Sequence, residues 1–241
     1  NAKSAGGLAL RMGIGSVRGM SDVVAQAIED HRPYTSMEDV VRKVPQLHVA
    51  QLEALATAGV FNESFGQQRR DALWSAGVVI QSRPGTLDGV TTGVESPHLP
   101  GMQPMEEAIA DLWATGVSTS GHPTEFLRIE LERMGVATAM QLPQRGARGD
   151  EKVLVAGTVT HRQRPMTAQG ITFINLEDET GHINVVCSVG CWARYRKVAR
   201  GAGALLVRGR LEVGDGGVIN VVAEHIAPLH VAAKVTARNF R

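Results

Sequence analysis

Apolar positions along the first 82 residues recur every three or four, in short runs closed by glycine or proline. In SDVVAQAIEDHR, Val24, Ala25 and Ile28 fall on one helical face, Ser21 stands where an N-cap belongs, and Pro33 ends the run. TSMEDVVRKV carries Thr35 three residues before Glu38, a capping-box spacing, and stops before Pro45. VAQLEALATAG aligns Leu52, Leu55 and Ala56 and stops at Gly59. GQQRRDALWSAGVVIQ turns Ala72, Leu73 and Ala76 inward, with Arg69 and Arg70 in its first turns. The pattern predicts four or five short helices.

Residues 83–104 have no periodicity and are rich in proline and glycine, which predicts a linker. Helical spacing returns in MEEAIADLWATG and HPTEFLRIELERMG, where Pro123 suits a first helical position, and breaks again in PQRGARGDE. From Lys152 the period drops to about two. The runs VLVAGTVTH, ITFINLED, HINVVCS, ALLVRGRLEV and VINVVAEHI read as strands, with the helical GCWARYRKVAR between the third and fourth. Five strands with a helix after the third is the element order of an OB-fold barrel. The expected class is α+β and multidomain: a tandem helix-hairpin-helix domain over 1–82, a linker with helices over 83–150, a five-stranded OB barrel over 151–230 and a tail over 231–241.

Charge sharpens this division. The net charge of +1 conceals 13 Lys and Arg against 17 Asp and Glu in residues 1–150, and 12 against 7 in residues 151–241. A basic C-terminal part has the sign of a surface that meets phosphates. Two cysteines, Cys187 and Cys191, allow at most one bridge and fit a reducing compartment, and no run of about 18 apolar residues is present. A soluble cytoplasmic chain without a membrane partner is expected.

The helical part offers a phosphate grip. In GIGSVRGMSDVVAQAI, a helix, a tight turn and a second helix are predicted, with Arg18 and Gly19 in the turn and Ser21 at the next helix start. The glycine lets backbone amides approach an anion, and such contacts hold duplex DNA without reading its sequence. LATAGVFNESFGQQRRDAL repeats the geometry with Gly59, Arg69 and Arg70. In the barrel, the loop HRQRPMTAQG brings Arg162 and Arg164 to the edge where OB folds take ligands, and Phe173 is the sheet's single ring for stacking a base. Trp192 and Tyr195, with Val198 and Ala199, are expected to plug the barrel. So few rings fit a weak electrostatic guide for a single strand or a protein-docking barrel equally well.

Chemistry is harder to find. Glu177, Asp178 and Glu179 are adjacent, but Asp178 and Gly181 bracket a hairpin turn, which predicts all three carboxylates at an exposed tip rather than in an enclosed site. No second Cys/His pair completes a zinc set, His122 is read as a cap or packing residue, and no Walker loop, Gly-x-Ser-x-Gly or HExxH occurs. Neither a catalytic residue, nor a metal, nor a cofactor is predicted.

RMGIGSVRGMSDVVAQAI, AGVFNESFGQQRRDALW, TGVSTSGHPTEFLR and GTVTHRQRPMTAQGITFINLEDETGHINVVC resemble, in that order, the C-terminal region of bacterial C-family DNA polymerases, and most closely the error-prone, damage-inducible ImuC form. The resemblance covers essentially the whole chain. It implies a tandem helix-hairpin-helix domain holding duplex behind a polymerase site, an OB domain near the template, and a fragment whose catalytic palm lies elsewhere. The parent would be a DNA-directed DNA polymerase of translesion synthesis in DNA-damage repair, and this piece inactive alone. Replicative relatives carry a clamp-binding peptide between these domains, whereas Gln103 here is followed by PMEEAI without its aromatic end. The resemblance therefore implies an ImuB-like accessory protein as partner, with the sliding clamp reached only through it. The alternative is a platform for such accessory proteins with little DNA affinity.

Overall fold

The computed structural model describes residues 11–81, 96–97, 99–146, 151–230 and 238–240. The chain divides into two compact units, Asn1–Thr119 and Ser120–Arg241. Among the described residues no helix is long and apolar enough to cross a membrane.

The first unit is helical: α1 (Asp22–Asp30), α2 (Met37–Lys43), α3 (Val49–Thr57), α4 (Val60–Phe65), α5 (Arg69–Val79) and α6 (Pro104–Thr115). Val24, Ile28, Val41, Val44, Leu52, Leu55, Phe61, Ala76 and Val79 form one core. Ser21 caps α1 as expected, its Oγ accepting from Val24 N. The cap of α2 is Ser36 rather than Thr35, because Ser36 Oγ accepts from Asp39 N while Thr35 N donates to the Asp39 carboxylate. On α5 the inward positions are Ala72, Ser75, Ala76 and Val79, and Leu73 stays 40% exposed.

The second unit is a barrel with a helical approach. After α7 (Pro123–Phe126), α8 (Arg128–Arg133), the two-residue β1 (Val136–Ala137) and α9 (Leu142–Gly146) come β2 (Lys152–Gln163), β3 (Thr172–Asp178), β4 (Gly181–Cys187), α10 (Val189–Gly201), β5 (Ala204–Val213) and β6 (Ile219–Pro228). Antiparallel ladders join β2 to β3, β3 to β4 and β5 to β6; β4 and β6 run parallel, and β2 pairs with β5 to close the ring. This is the five-stranded OB topology. A last short strand, β7 (Arg238–Phe240), runs parallel to β2 beside His161–Gln163.

Ile174, Leu176, Ile183, Val185, Leu205, Val207, Val221 and Ile226 fill the barrel, and Trp192, Tyr195, Val198 and Ala199 of α10 pack against them as the composition suggested. β2 is buried on both faces over Val155–Val159. Its second face is covered from the helical approach, where Leu131 and Val136 pack with Ala156. The stretch read as a linker with helices thus contributes α6 to the first unit and residues 120–146 to the second; residues 82–95 lie outside the described part.

Closure needs a bare backbone at Gly157, where an added Cβ would sit 2.6 Å from the carbonyl oxygen of Glu177. Gly157→Ala is expected to destabilise the barrel by about 1–3 kcal/mol through overpacking, read as a lower urea midpoint at unchanged m-value.

Candidate nucleic-acid interface

The turn ahead of α1 presents open backbone at three glycines. Ile14–Ser16 form a single 3-10 turn rather than a full helix, with residues 1–10 outside the described part. Gly19 has φ +71, which favours glycine, and an added Cβ at Gly13, Gly15 or Gly19 would meet nothing within 4 Å. The turn is held from behind. Arg18 N donates to Ala114 O at 2.7 Å, the Arg18 guanidinium lies 5.0 Å from the centre of the Trp113 ring, and Gln51 Nε2 donates to Gly19 O at 3.0 Å. Arg18, Gly19 and Ser21 are all exposed. Gln51 and Trp113 escaped the sequence reading; the one clue was a glutamine inside the apolar stripe of α3.

Gly59, Arg69 and Arg70 are placed differently. α4 intervenes between Gly59 and α5, so Gly59 (φ +76) joins two short helices, and the Arg69 guanidinium packs 2.8 Å from where its Cβ would be. Arg69 also pairs with the buried Asp111 at 2.7 Å. Arg70 makes a two-pronged pair with Glu106 at 2.8 and 2.9 Å and donates to Pro100 O. Both arginines are committed to α6 and its lead-in, an outcome invisible without knowing where α6 packs.

In the barrel, the predicted loop arginines separate. β2 continues through Gln163, and a bulge between Val159 and His161 reverses its alternation, so Arg162 pairs with Ile174 and points inward. Arg162 is 6% exposed, and its guanidinium donates to Ala199 O at 2.6 Å and to Ala202 O. Burial pushes its pKa down to about 10, so it remains a cation at neutral pH. It anchors the C-terminal end of α10, where carbonyls lack helical partners, and the expected surface role is corrected. Arg164 stays exposed above Gly170, and Phe173 lies half-buried one strand away from Gln163.

The outer face of the sheet adds residues missed by inspection. His161 lies beside Asn175, Asn175 beside Asn184, and Asn184 beside Asn220, a polar row across four strands. The next row is Gln163, Phe173, Val186 and Val222. The side-chain amides of Asn175 and Asn184 make no hydrogen bond among the described residues, so donors and acceptors stand beside an apolar strip. Asparagines at alternating positions of successive strands were the available signal.

The acidic turn is a hairpin, but its carboxylates are not at an exposed tip. Asp178 is 3% exposed and accepts from Thr180 N, Gly181 N and, across the unit, Ala139 N at 2.7 Å. Glu179 receives two hydrogen bonds from Arg128, at 2.5 and 2.9 Å, and one from Thr124. His122 caps α7, accepting from Thr124 N, and its Nε2 reaches Thr158 Oγ1 at 3.2 Å. The three carboxylates were expected to be solvated because the sequence does not show that residues 120–142 fold over them. Burial pushes the Glu179 carboxyl up, but the hydrogen bonds from Arg128 and Thr124 outweigh it and hold the pKa below the usual range. Burial lowers the His122 pKa against the pull of nearby carboxylates, so the ring is neutral at pH 7.

This is a structural clamp, not a reactive pair. Among the described residues no group of three or more His, Cys, Asp or Glu could hold a metal. Burial raises both thiols, Cys187 to about 12, so neither is a thiolate nucleophile at neutral pH.

Comparison with known proteins matches this geometry. The helix-hairpin-helix motif family matches residues 2–72, and the family described as OB-fold nucleic acid binding domain matches residues 153–229. The error-prone DNA polymerase of Mycobacterium tuberculosis (strain ATCC 25618 / H37Rv) is 49% identical over 240 residues, 98% of this chain and 21% of that protein. That of Nocardia farcinica is 47% identical over 247 residues, again 21% of its length. The chain thus spans about a fifth of these relatives. Among solved structures, asparaginyl-tRNA synthetase from Pyrococcus horikoshii matches 42% of this chain and 24% of its own at a TM-score of 0.34 and 16% identity.

Two outcomes follow from the clamp. Arg128→Met, which leaves Glu179 and Asp178 enclosed without their cation, is expected to cost about 3 kcal/mol of barrel stability. Acidification has a defined sign, since His122 and Glu179 both have folded pKa values below their ordinary ones. Their stabilisation is complete above the unfolded values of 6.5 and 4.5 and is lost as pH falls through the lower folded values. Urea midpoints of the wild type should fall in two stages between pH 7.5 and 3.5, and His122→Asn should flatten the first stage alone.

Proposed function

We infer that the chain is a region of an error-prone DNA polymerase, a non-catalytic part that holds primer-template DNA for translesion synthesis, a reading supported by the relatives it resembles over 98% of its length. The turn carrying Arg18, Gly19 and Ser21 meets the duplex backbone, with the Gly19 amide and the Arg18 guanidinium offered to phosphate, the Arg18 and Met20 amides being held within the first unit. The outer face of β3 and β4 receives the template strand: Phe173 stacks a base, Asn175 and Asn184 hydrogen-bond exposed base edges, and Arg164 pairs with a phosphate. Arg69 and Arg70 act by fixing the first unit rather than by touching DNA. The region acts with no metal or cofactor of its own, and nucleotidyl transfer belongs to the remainder of the parent. The single observation that carries the reading is the exposed glycine turn, where a Cβ at Gly13, Gly15 or Gly19 would meet nothing within 4 Å among the described residues, braced by Gln51 and Ala114.

A second reading, a platform for an ImuB-like accessory protein through which the sliding clamp is reached, is favoured by Phe126, Ile129 and Met134, apolar and exposed along α7 and α8. Ile129 is 70% exposed. Ile129→Glu should abolish capture of such a partner and leave DNA binding intact.

Fluorescence anisotropy of labelled blunt duplex and single strand tests the DNA reading. Gly15→Glu, which puts a carboxylate on open backbone without a clash, should weaken duplex binding and spare the single strand. Phe173→Ala should cost about 1–3 kcal/mol on the single strand alone. Equal losses on both substrates, or no wild-type binding at low salt, overturn the assignment.

A further inference from the structure

We propose that the outward face of α10 is a second phosphate-binding surface of the barrel, separate from the β3–β4 face, and that it takes the sugar-phosphate backbone of DNA. This rests on the reading that the region binds DNA, and deepens it by naming a surface.

α10 contains Arg194, Arg196, Lys197 and Arg200 and no acidic residue. Its inward side is Trp192, Tyr195, Val198 and Ala199, so at 3.6 residues per turn the four cations fall on the opposite arc. All four are exposed. None makes a hydrogen bond or ion pair among the described residues. That sets them apart from Arg69, Arg70, Arg128 and Arg162, each tied to a carboxylate or carbonyl oxygen. Only Arg200, in the last turn, complements the helix dipole; the other cations add nothing to the helix's own stability, since like charges three and four apart repel.

The surface continues onto the sheet. Tyr195 meets His225 of β6 edge-on, ring centres 5.0 Å apart, and His225 lies beside the exposed Arg208 of β5. The acidic residue of β6, Glu224, is neutralised by Arg210 at 3.3 Å. From α10 to Arg208 the exposed charges are cationic, and the acidic Glu212 lies further along β5, four residues past Arg208.

Chemistry distinguishes the occupant. An acidic protein partner would need apolar anchors at the centre of its footprint, and between the cations α10 presents Ala193 and Gly201 instead. The one exposed large apolar residue of α10, Val189, stands at its first turn, away from the cations, and the small residues beside them let a backbone approach closely while asking only for negative charge, which a polyphosphate supplies. The Ser188 N-cap already satisfies Cys191 N, so the helix start is not the site.

The test is the salt dependence of binding by the full 241-residue chain. In anisotropy titrations at several salt concentrations, Arg194→Gln, Arg196→Gln, Lys197→Gln and Arg200→Gln combined should lower affinity at least about tenfold and reduce the log–log slope by about 2 or more, since each lost phosphate contact removes about 0.9 on duplex and about 0.7 on a single strand. The substrate showing the larger drop identifies which backbone lies on α10. Single substitutions should each give a fraction of the loss, and a Phe173→Ala control should weaken single-strand binding without changing the slope. A combined variant with unchanged affinity and slope, beside a wild type that binds, overturns this proposal alone. A wild type that binds neither substrate overturns it together with the reading it rests on. If the variant keeps DNA binding but loses binding to poly-glutamate, the surface belongs to an acidic protein and the proposal falls.

Discussion

A guanidinium withdrawn from water must be met by oxygen, and that requirement organises this chain. Leaving a buried cation unpaired costs several kcal/mol, so each enclosed arginine fixes the place of whatever pairs with it. Arg69 binds Asp111 and thereby sets α6 against α5. Arg128 binds Glu179 and stands 4.0 Å from Asp178, tying the helical approach to the β3–β4 turn. Arg162 ties the end of α10 to β2. In each case a long cationic side chain joins segments distant in sequence.

The clamp at the acidic turn also explains why β2 can be apolar on both sides. A sheet strand open to water on one face alternates, but Val155, Ala156, Gly157, Thr158 and Val159 are all buried. Leu131 and Val136 supply the covering layer over Ala156, and Asp178 and Glu179 hold that layer through Ala139 N, Thr124 and Arg128. His122 joins the same assembly at Thr158 as a neutral ring, adding a hydrogen bond without burying a charge. The stretches around His122 and around Asp178 are two halves of one joint.

Periodicity was sufficient for the elements, because a change from 3.6 to 2 reflects which side of each segment meets the core and requires no tertiary knowledge. The helices α1, α2, α3, α5 and α6, the five barrel strands and α10 as the barrel plug were readable in that way, whereas the short α4, α9, β1 and β7 were not, and the helix expected before Arg18 is a single 3-10 turn. Individual side chains were less so. Arg162 looked like a loop residue because its environment depends on one extra residue at the bulge after Val159, which shifts every later position of β2 to the other face. The acidic turn looked solvated because nothing local in LEDETG indicates that Arg128, some fifty positions earlier, returns to it. Gly59, Arg69 and Arg70 resembled a second hairpin, yet α4 stands within the repeat and Asp111 answers the arginine. Backbone features fared better: Gly19 is left-handed and open because its turn is local.

Once the committed arginines are set aside, the remaining cations show how a chain of net charge +1 can favour a polyanion. Net charge counts Arg69 and Arg128 equally with Arg194, but a cation already neutralised at contact distance contributes little field beyond a Debye length. On the proposed reading, what a phosphate would meet is the remainder: Arg18 over Trp113, Arg164 above Gly170, and the face of α10 whose cations have no partner among the described residues. The barrel strands β2–β6 carry Phe173 as their one phenyl, phenol or indole ring, so on the proposed reading affinity would come mainly from charge, with Asn175 and Asn184 adding orientation. Binding of the kind proposed would hold a strand by its backbone while leaving its sequence unread.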